Sequence, residues 1–124
     1  MEESVSAEEL QLLARLIEAE SAAESLDGKV AVGAVVLNRL SHNDFPATIQ
    51  DIIYQKGQFE CVSNGALAKI GEPSEESVQA ATKAFGGEDP TDGALFFFNP
   101  QKTKGSWFWQ REQAAAIGNH VFVR

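Results

Sequence analysis

The sequence predicts an α+β domain that is mostly helical and has a small antiparallel β-sheet in its C-terminal half. Helix-capping residues and apolar residues at helical spacing recur from Ser6 to the glycine pair at 86–87. Short aromatic runs bounded by turn residues are confined to the chain after that pair. The 124 residues, 44% of them apolar, are enough for one domain with its own core, and we expect a single domain over residues 1–124.

The first predicted helix begins at Ser6, which can cap it, and Glu9 stands three residues later to complete a capping box. Apolar side chains follow on one side at helical spacing: Leu10, Leu13, Leu16 and Ile17. The same side reaches Glu20 and, one turn later, Glu24, whereas Glu18 is predicted to face solvent. A carboxylate on the apolar side of a helix requires a structural or a chemical explanation.

Three further helices are predicted before residue 88. The run 30–37 is apolar all round, and its length to Leu40 favours a buried helix over a strand. Thr48 is predicted to cap a short helix that ends near Gly57, and Ser74 a longer one that ends at the glycine pair. The segment 58–73 is predicted to be a loop with a short strand.

The C-terminal part holds three predicted strands: "ALFFFNP" at 94–100, "SWFWQ" at 106–110 and "HVFV" at 120–123. "REQAAAI" at 111–117 is predicted to be a short helix closed by Gly118. Because side chains alternate along a strand, Trp107 and Trp109 would share one face. There they would either fill the core or stack on sugar rings at the wall of a cleft.

Composition excludes several classes of function. The net charge of −8 argues against a protein that follows phosphate backbones, so no nucleic-acid partner is expected. No window approaches the roughly 18 apolar residues of a membrane span. The acidic start "MEESVSAEEL" lacks the apolar stretch of a secretory signal. The chain is therefore expected either to stay inside the cell or to be a mature or trimmed form of an exported protein.

Glu20 has two interpretations. It either pairs with a nearby arginine or lysine at the helix end, or it is a general acid in an apolar wall. Burial in such a wall favours the protonated form of a glutamate, which a proton donor to a glycosidic oxygen needs. Glu24, one turn later, would favour the same form through like-charge repulsion.

Other chemistries have weaker support. His42 and His120 are far apart and outside any metal-ligand spacing, so neither a metal nor a cofactor is expected. Cys61, the one cysteine, excludes an internal disulfide, and with His120 it could form a thiol peptidase pair. Its surroundings, "FECVSNG", do not suggest the helix N-terminus that lowers the pKa of a thiol.

Four segments in order resemble the cell wall hydrolase family of spore cortex-lytic enzymes of the SleB type. They are "LLARLIEAESAAESLDGKVAVGAVVLNRL", "FPATIQDIIYQKGQFECV", "GALFFFNP" and "IGNHVF". The first begins at residue 12 and the last ends at residue 122, so the resemblance extends over nearly the whole chain. The resemblance implies a lysozyme-like, lytic-transglycosylase-like domain acting on peptidoglycan glycan strands, notably those of the spore cortex. It also implies a place of action in the cell wall, the cortex or outside the cell.

The resemblance further implies the site residues. The family's catalytic glutamate lies in a pattern like G-E-A-R-G-E-P, whose two glutamates fall on Glu20 and Glu24, with Ala22 in place of the arginine. The positions expected to bind the glycan are Glu24, Tyr54, Gln58, Phe59, Asn99, Trp107, Trp109 and His120.

Three functions stay open at this point. The leading one is a monomeric lytic transglycosylase in which Glu20 alone is acid and then base, since no motif selects a second carboxylate; Asp27 and Asp44 are possible partners. The second is a non-catalytic glycan-binding module of the same fold. The third is a peptidase or amidase that uses Cys61 and His120 on the peptide stems.

Overall fold

The structure, a computed structural model, describes residues 5–103 and 105–124. These residues form a helical part followed by a small sheet. The elements are α1 (Ala7–Ser21), α2 (Leu26–Leu40), α3 (Ile49–Ile53), α4 (Glu60–Ser63), α5 (Ala66–Lys69), α6 (Glu75–Phe85), β1 (Phe96–Phe98), a 3-10 helix (Phe108–Gln110), β2 (Gln113–Ile117) and β3 (His120–Val123). The predicted α+β class with a late antiparallel sheet is confirmed.

The core forms where α1 and α6 pack on α2. Residues 28–36 of α2 are all buried, so the helix predicted for the apolar run is confirmed. The capping box at the start of α1 is also present, because Ser6 Oγ accepts a hydrogen bond from Glu9 N at 3.0 Å and Glu9 Oε1 accepts one from Ser6 N at 3.2 Å. The caps predicted at Thr48 and Ser74 are likewise confirmed.

The end of α1 differs from the prediction. The helix ends at Ser21, whose buried hydroxyl donates to Ile17 O at 2.6 Å, and Ser25 caps α2 by accepting from Gly28 N at 3.2 Å. Glu24 therefore lies in the turn between the two helices, and its predicted place on the next turn of α1 is wrong. Glu18 is also not simply solvated, because it accepts hydrogen bonds from Ser74 and Ser77 at the start of α6.

Three short segments were predicted with the wrong structure. The segment 58–73 contains the helices α4 and α5 in place of a loop with a strand, and residues 108–110 form a 3-10 helix in place of a strand. Residues 113–117 form the strand β2, although alanine favours helix. Pairing with β3 satisfies the backbone groups of this segment, and this tertiary contact overrides the helix preference of alanine.

The sheet has the order β1-β3-β2, and both pairs are antiparallel. The strand predicted for "HVFV" is confirmed as β3, which is the central strand and is buried along its whole length. β1 and β2 both approach α2, so the sheet closes one side of the helical core. Within the described ranges, no helix is long and apolar enough to cross a membrane.

Candidate active site

A cleft of about 600 Å³ lies between the end of α1, the α4–α5 region and the sheet. A side arm of about 240 Å³ adjoins it. Glu20, Gly57, Gln58, Phe97 and Phe108 line both spaces, so Glu20 stands where the arm meets the main cleft. The main cleft is lined in addition by Glu60, Cys61, Asn99, Lys102 and His120, and the arm by Arg39, Phe59, Phe96 and Trp107.

Volume alone does not identify this cleft as the site. A hollow of about 640 Å³ lies between α1 and the start of α6, lined by Gln11, Glu72, Pro73, Glu75, Val78 and Gln79. It has no aromatic wall and no half-buried carboxylate among these residues, whereas a sugar site combines apolar surface with a few placed polar groups. We therefore take the cleft around Glu20 as the candidate active site.

Glu20 is held by the last turn of α1. Leu16 and Ile17 on the same helix are fully buried and fix its rotation, and the hydroxyl of Ser21 bonds back to the helix. The Glu20 side chain is half-buried against the aromatic residues of the arm. Its predicted position on the inner side of the helix end is confirmed.

Cys61 lies beside Glu20, in the first turn of the short helix α4 rather than in a loop. Its side chain is 4% exposed. Burial raises the pKa of the thiol well above its ordinary value, and the neighbouring Glu20 carboxylate raises it further. A thiol nucleophile needs the opposite shift. The geometry therefore disfavours the Cys61 and His120 peptidase.

His120 enters the same cleft from the start of β3. Burial lowers the pKa of its imidazole against the opposing effect of the Glu24 and Glu20 charges. Its buried Nδ1 atom has no hydrogen-bond partner among the described residues. A neutral imidazole has one ring nitrogen that donates a hydrogen bond and one that accepts, so His120 can bond to a sugar hydroxyl in the cleft in either tautomer.

Glu24 does not line the cleft or its arm, and it holds the turn that precedes His120. Its carboxylate accepts hydrogen bonds from Asn119 N at 3.0 Å and from Asn119 Nδ2 at 2.9 Å. The bond from Asn119 N lowers the pKa of Glu24, with desolvation opposing it. The neighbouring Gly118 has a φ of +57°, and a Cβ atom there would lie less than 3.0 Å from Glu24 Oε1. Glu24 thus positions the β2–β3 turn.

The aromatic residues are not arranged as the strand prediction required. Trp107 precedes the 3-10 helix, is 50% exposed and stands edge-on to Phe96, with ring centroids 5.1 Å apart. Trp109 is 55% exposed and contacts Phe98 edge-on at 4.9 Å. Only Trp107 lines the arm, so the prediction of a shared face on a strand is wrong for this pair.

The structure brings most of the predicted residues together. Those that line the cleft or its arm are Glu20, Gln58, Phe59, Asn99, Trp107 and His120. Glu24, Tyr54 and Trp109 line neither space, and neither do the possible partner carboxylates Asp27 and Asp44. The prediction missed Arg39 and Glu60. Arg39 had a signal, since it follows the buried apolar run four residues after Val35.

Comparison with known proteins identifies the family. Residues 23–123 match the Cell Wall Hydrolase family, a range that begins after Glu20. The chain is 36% identical over 119 residues to a spore cortex-lytic enzyme of Oceanobacillus iheyensis, covering 96% of this chain and 42% of that protein. It is 32% identical to the cell wall hydrolase CwlJ of Bacillus subtilis, covering 94% of this chain and 84% of that protein.

A solved structure agrees with these relatives. The catalytic domain of the germination-specific lytic transglycosylase SleB from Bacillus anthracis superposes with a TM-score of 0.90 at 35% identity, and the match covers all of both chains. The chain spans less than half the length of the spore cortex-lytic enzyme it matches. Its sequence and its fold agree on one conclusion: the chain belongs to the cell wall hydrolase family.

Proposed function

We propose that this chain cleaves the glycan strands of peptidoglycan between N-acetylmuramic acid and N-acetylglucosamine, with Glu20 as general acid and base. The observation that carries the proposal is the position of Glu20, half-buried at the junction of an aromatic-lined arm and a larger polar cleft. The likeness of the whole chain to a lytic transglycosylase catalytic domain supports it.

The mechanism follows from which carboxylates reach the cleft. A retaining hydrolase needs a second carboxylate about 5 Å from the acid, and an inverting one needs it roughly 6.5–9.5 Å away. Glu24 is bound to Asn119, and Asp27 and Asp44 line neither space.

The scheme that needs only one carboxylate is that of a lytic transglycosylase. Protonated Glu20 gives its proton to the leaving glycosidic oxygen as the bond to muramyl C1 breaks. The resulting carboxylate then takes the proton of the muramyl 6-hydroxyl, whose oxygen bonds to C1 and closes a 1,6-anhydro ring.

Glu60 is the observation that favours a second candidate, hydrolysis. It lines the same cleft as Glu20 from the first turn of α4 and is exposed to water there. A carboxylate in that place could activate a water molecule for attack on C1. The two reactions differ by one water in the mass of their products, because hydrolysis leaves a reducing muramic acid.

The test combines one substitution with product analysis. Glu20→Gln keeps the size of the side chain and removes its acid–base function, so cleavage should fall at least 1,000-fold, on the order of the loss expected for an essential proton donor. Glu8→Gln, an exposed change on the same helix, is the matched control and should cleave as the wild type does. Fragments lighter by one water than hydrolysis products support transglycosylation. Full activity of the Glu20 variant with an unchanged melting temperature would refute the proposal.

The same experiment separates the other functions. Intact glycan strands with cut stems would indicate a peptidase, and binding without any release would indicate a non-catalytic module. We further propose that the chain acts as a monomer in the cell wall or the spore cortex. Parallel digestion of purified cortex and vegetative wall would show which is preferred, and the name of the relative from Oceanobacillus iheyensis favours cortex.

A further inference from the structure

Arg39 is a buried cation in the last turn of α2. The residue is 3% exposed, and its Nε donates to Leu95 O at 2.7 Å. Three aromatic rings surround the guanidinium, with the Cζ atom 5.1 Å from the centroid of Phe45, 5.2 Å from Phe59 and 5.0 Å from Phe96. Cation–π contacts of this kind stabilise the charge, although by less than a carboxylate partner would.

The charge of Arg39 is not matched by an acidic partner. None of the ion pairs among residues 5–103 and 105–124 includes it, and its buried Nη1 has no hydrogen-bond partner there. Burial lowers the pKa of Arg39 to about 10, so the side chain is still a cation at neutral pH. An unpaired buried charge is costly, and an acceptor oxygen brought by a ligand would offset this cost.

The position of Arg39 indicates which chemical group of a ligand would supply this acceptor oxygen. Arg39 lines the 240 Å³ arm together with Glu20, Gln58 and Trp107. The arm is less than half the size of the main cleft of about 600 Å³, so it suits a ring substituent better than a long chain. A sugar whose glycosidic oxygen meets Glu20 can direct a ring substituent into it.

N-acetylmuramic acid and N-acetylglucosamine both carry an acetamido group, but only the muramic unit carries a 3-O-lactyl group with a carboxylate or acyl oxygen. We propose that Arg39 binds an oxygen of this lactyl group and so selects the muramyl unit for the subsite beside Glu20. This inference rests on the proposed function. It adds a residue that determines specificity. It also fixes which sugar binds on each side of Glu20, because the muramyl ring must lie on the side where the anhydro ring forms.

Nuclear magnetic resonance of the wild-type chain tests the contact directly, and a variant is needed only to assign one signal. The Nε–H signal of Arg39, assigned by its absence from the Arg39→Lys spectrum, should move on addition of N-acetylmuramic acid. N-acetylmuramyl dipeptide, whose lactyl group is an amide, should move it less, because the acceptor is uncharged. N-acetylglucosamine should leave it in place. An equal shift with N-acetylglucosamine, or no shift with either muramyl sugar, would overturn the inference.

Kinetics on peptidoglycan strands supply the second measurement. Arg39→Met keeps much of the side-chain volume and should raise KM about tenfold, corresponding to ~1.4 kcal/mol, with a smaller change in kcat. Arg15→Met is the control, because Arg15 lies on α1 and lines neither the arm nor the main cleft, so its KM should stay at the wild-type value. An unchanged KM in a folded Arg39→Met variant would contradict the inference alone. A wild-type chain that does not cleave, or that cleaves equally with Glu20→Gln, would instead contradict the proposed function.

Discussion

Gly118→Ala perturbs the hydrogen bonds between Glu24 and Asn119 of the β2–β3 turn without changing either of these two residues. The new Cβ atom would lie less than 3.0 Å from Glu24 Oε1, closer than real Cβ contacts allow. The carboxylate is the far end of a flexible side chain, so it should rotate away and give up its hydrogen bonds to Asn119 N and Nδ2. The β2–β3 turn then loses the contact that fixes it to the turn between α1 and α2.

The magnitude has two parts. An alanine at the left-handed φ of +57° costs about 1–2 kcal/mol. The lost hydrogen bonds to the carboxylate cost about 1 kcal/mol, at the low end because the contact is exposed. The free energy of unfolding should therefore fall by about 2–3 kcal/mol. At about 4 °C per kcal/mol for a chain of this size, the melting temperature should fall by roughly 8–12 °C.

The assay is thermal and denaturant unfolding followed by circular dichroism. Gly87→Ala is the matched control, because Gly87 has a φ of +100° but a Cβ atom added there would meet nothing within 4 Å. Gly87→Ala should therefore lower the free energy of unfolding only by the cost of an alanine at a positive φ. In a double-mutant cycle, Gly118→Ala should cost about 1 kcal/mol less in a Glu24→Ala background, since the hydrogen bonds are already absent there. Equal costs in both backgrounds would refute the reasoning.

The pH dependence gives an independent check. The pKa of Glu24 is lower in the folded chain than its ordinary value, so its contribution is present above that ordinary value and is lost as the pH falls through the lowered pKa. The stability difference between wild type and Glu24→Gln should therefore shrink below about pH 4. Because His120 follows the turn directly, Gly118→Ala should also reduce cleavage more than Gly87→Ala at a temperature where both variants are folded.

The residues of the cleft support three further predictions. Iodoacetamide should leave activity unchanged, because burial and the neighbouring carboxylate disfavour the thiolate of Cys61; inhibition that Cys61→Ala abolishes would contradict this. Trp107→Phe should weaken glycan binding several-fold more than Trp109→Phe, since only Trp107 lines the arm, and equal losses in a binding titration would count against this. Glu60→Gln should leave cleavage within about threefold of wild type under the transglycosylase scheme, whereas a loss of about 100-fold or more with reducing muramic ends would support hydrolysis.

Local sequence signals predicted the long elements well. The capping box at Ser6, the caps at Thr48 and Ser74 and the apolar run of α2 each determined a helix, because the responsible contacts lie within four residues along the chain. The same signals failed for β2, where alanine residues form a strand. Its backbone hydrogen bonds go to β3, and helix propensity carries no information about that pairing.

The sequence by itself also placed Glu20 on the inner side of α1, since that position follows from helical spacing alone. Only the tertiary structure decided what surrounds Glu20. It brings Arg39 from α2, Cys61 from α4 and His120 from β3 to one cleft, over separations that no local pattern encodes. The end of α1 at Ser21 and the contact of Glu24 with Asn119 also depend on the tertiary structure. Asn119 lies in a turn that is distant along the chain, so its position is not encoded near Glu24. Residues far apart in sequence become neighbours only when the core packs.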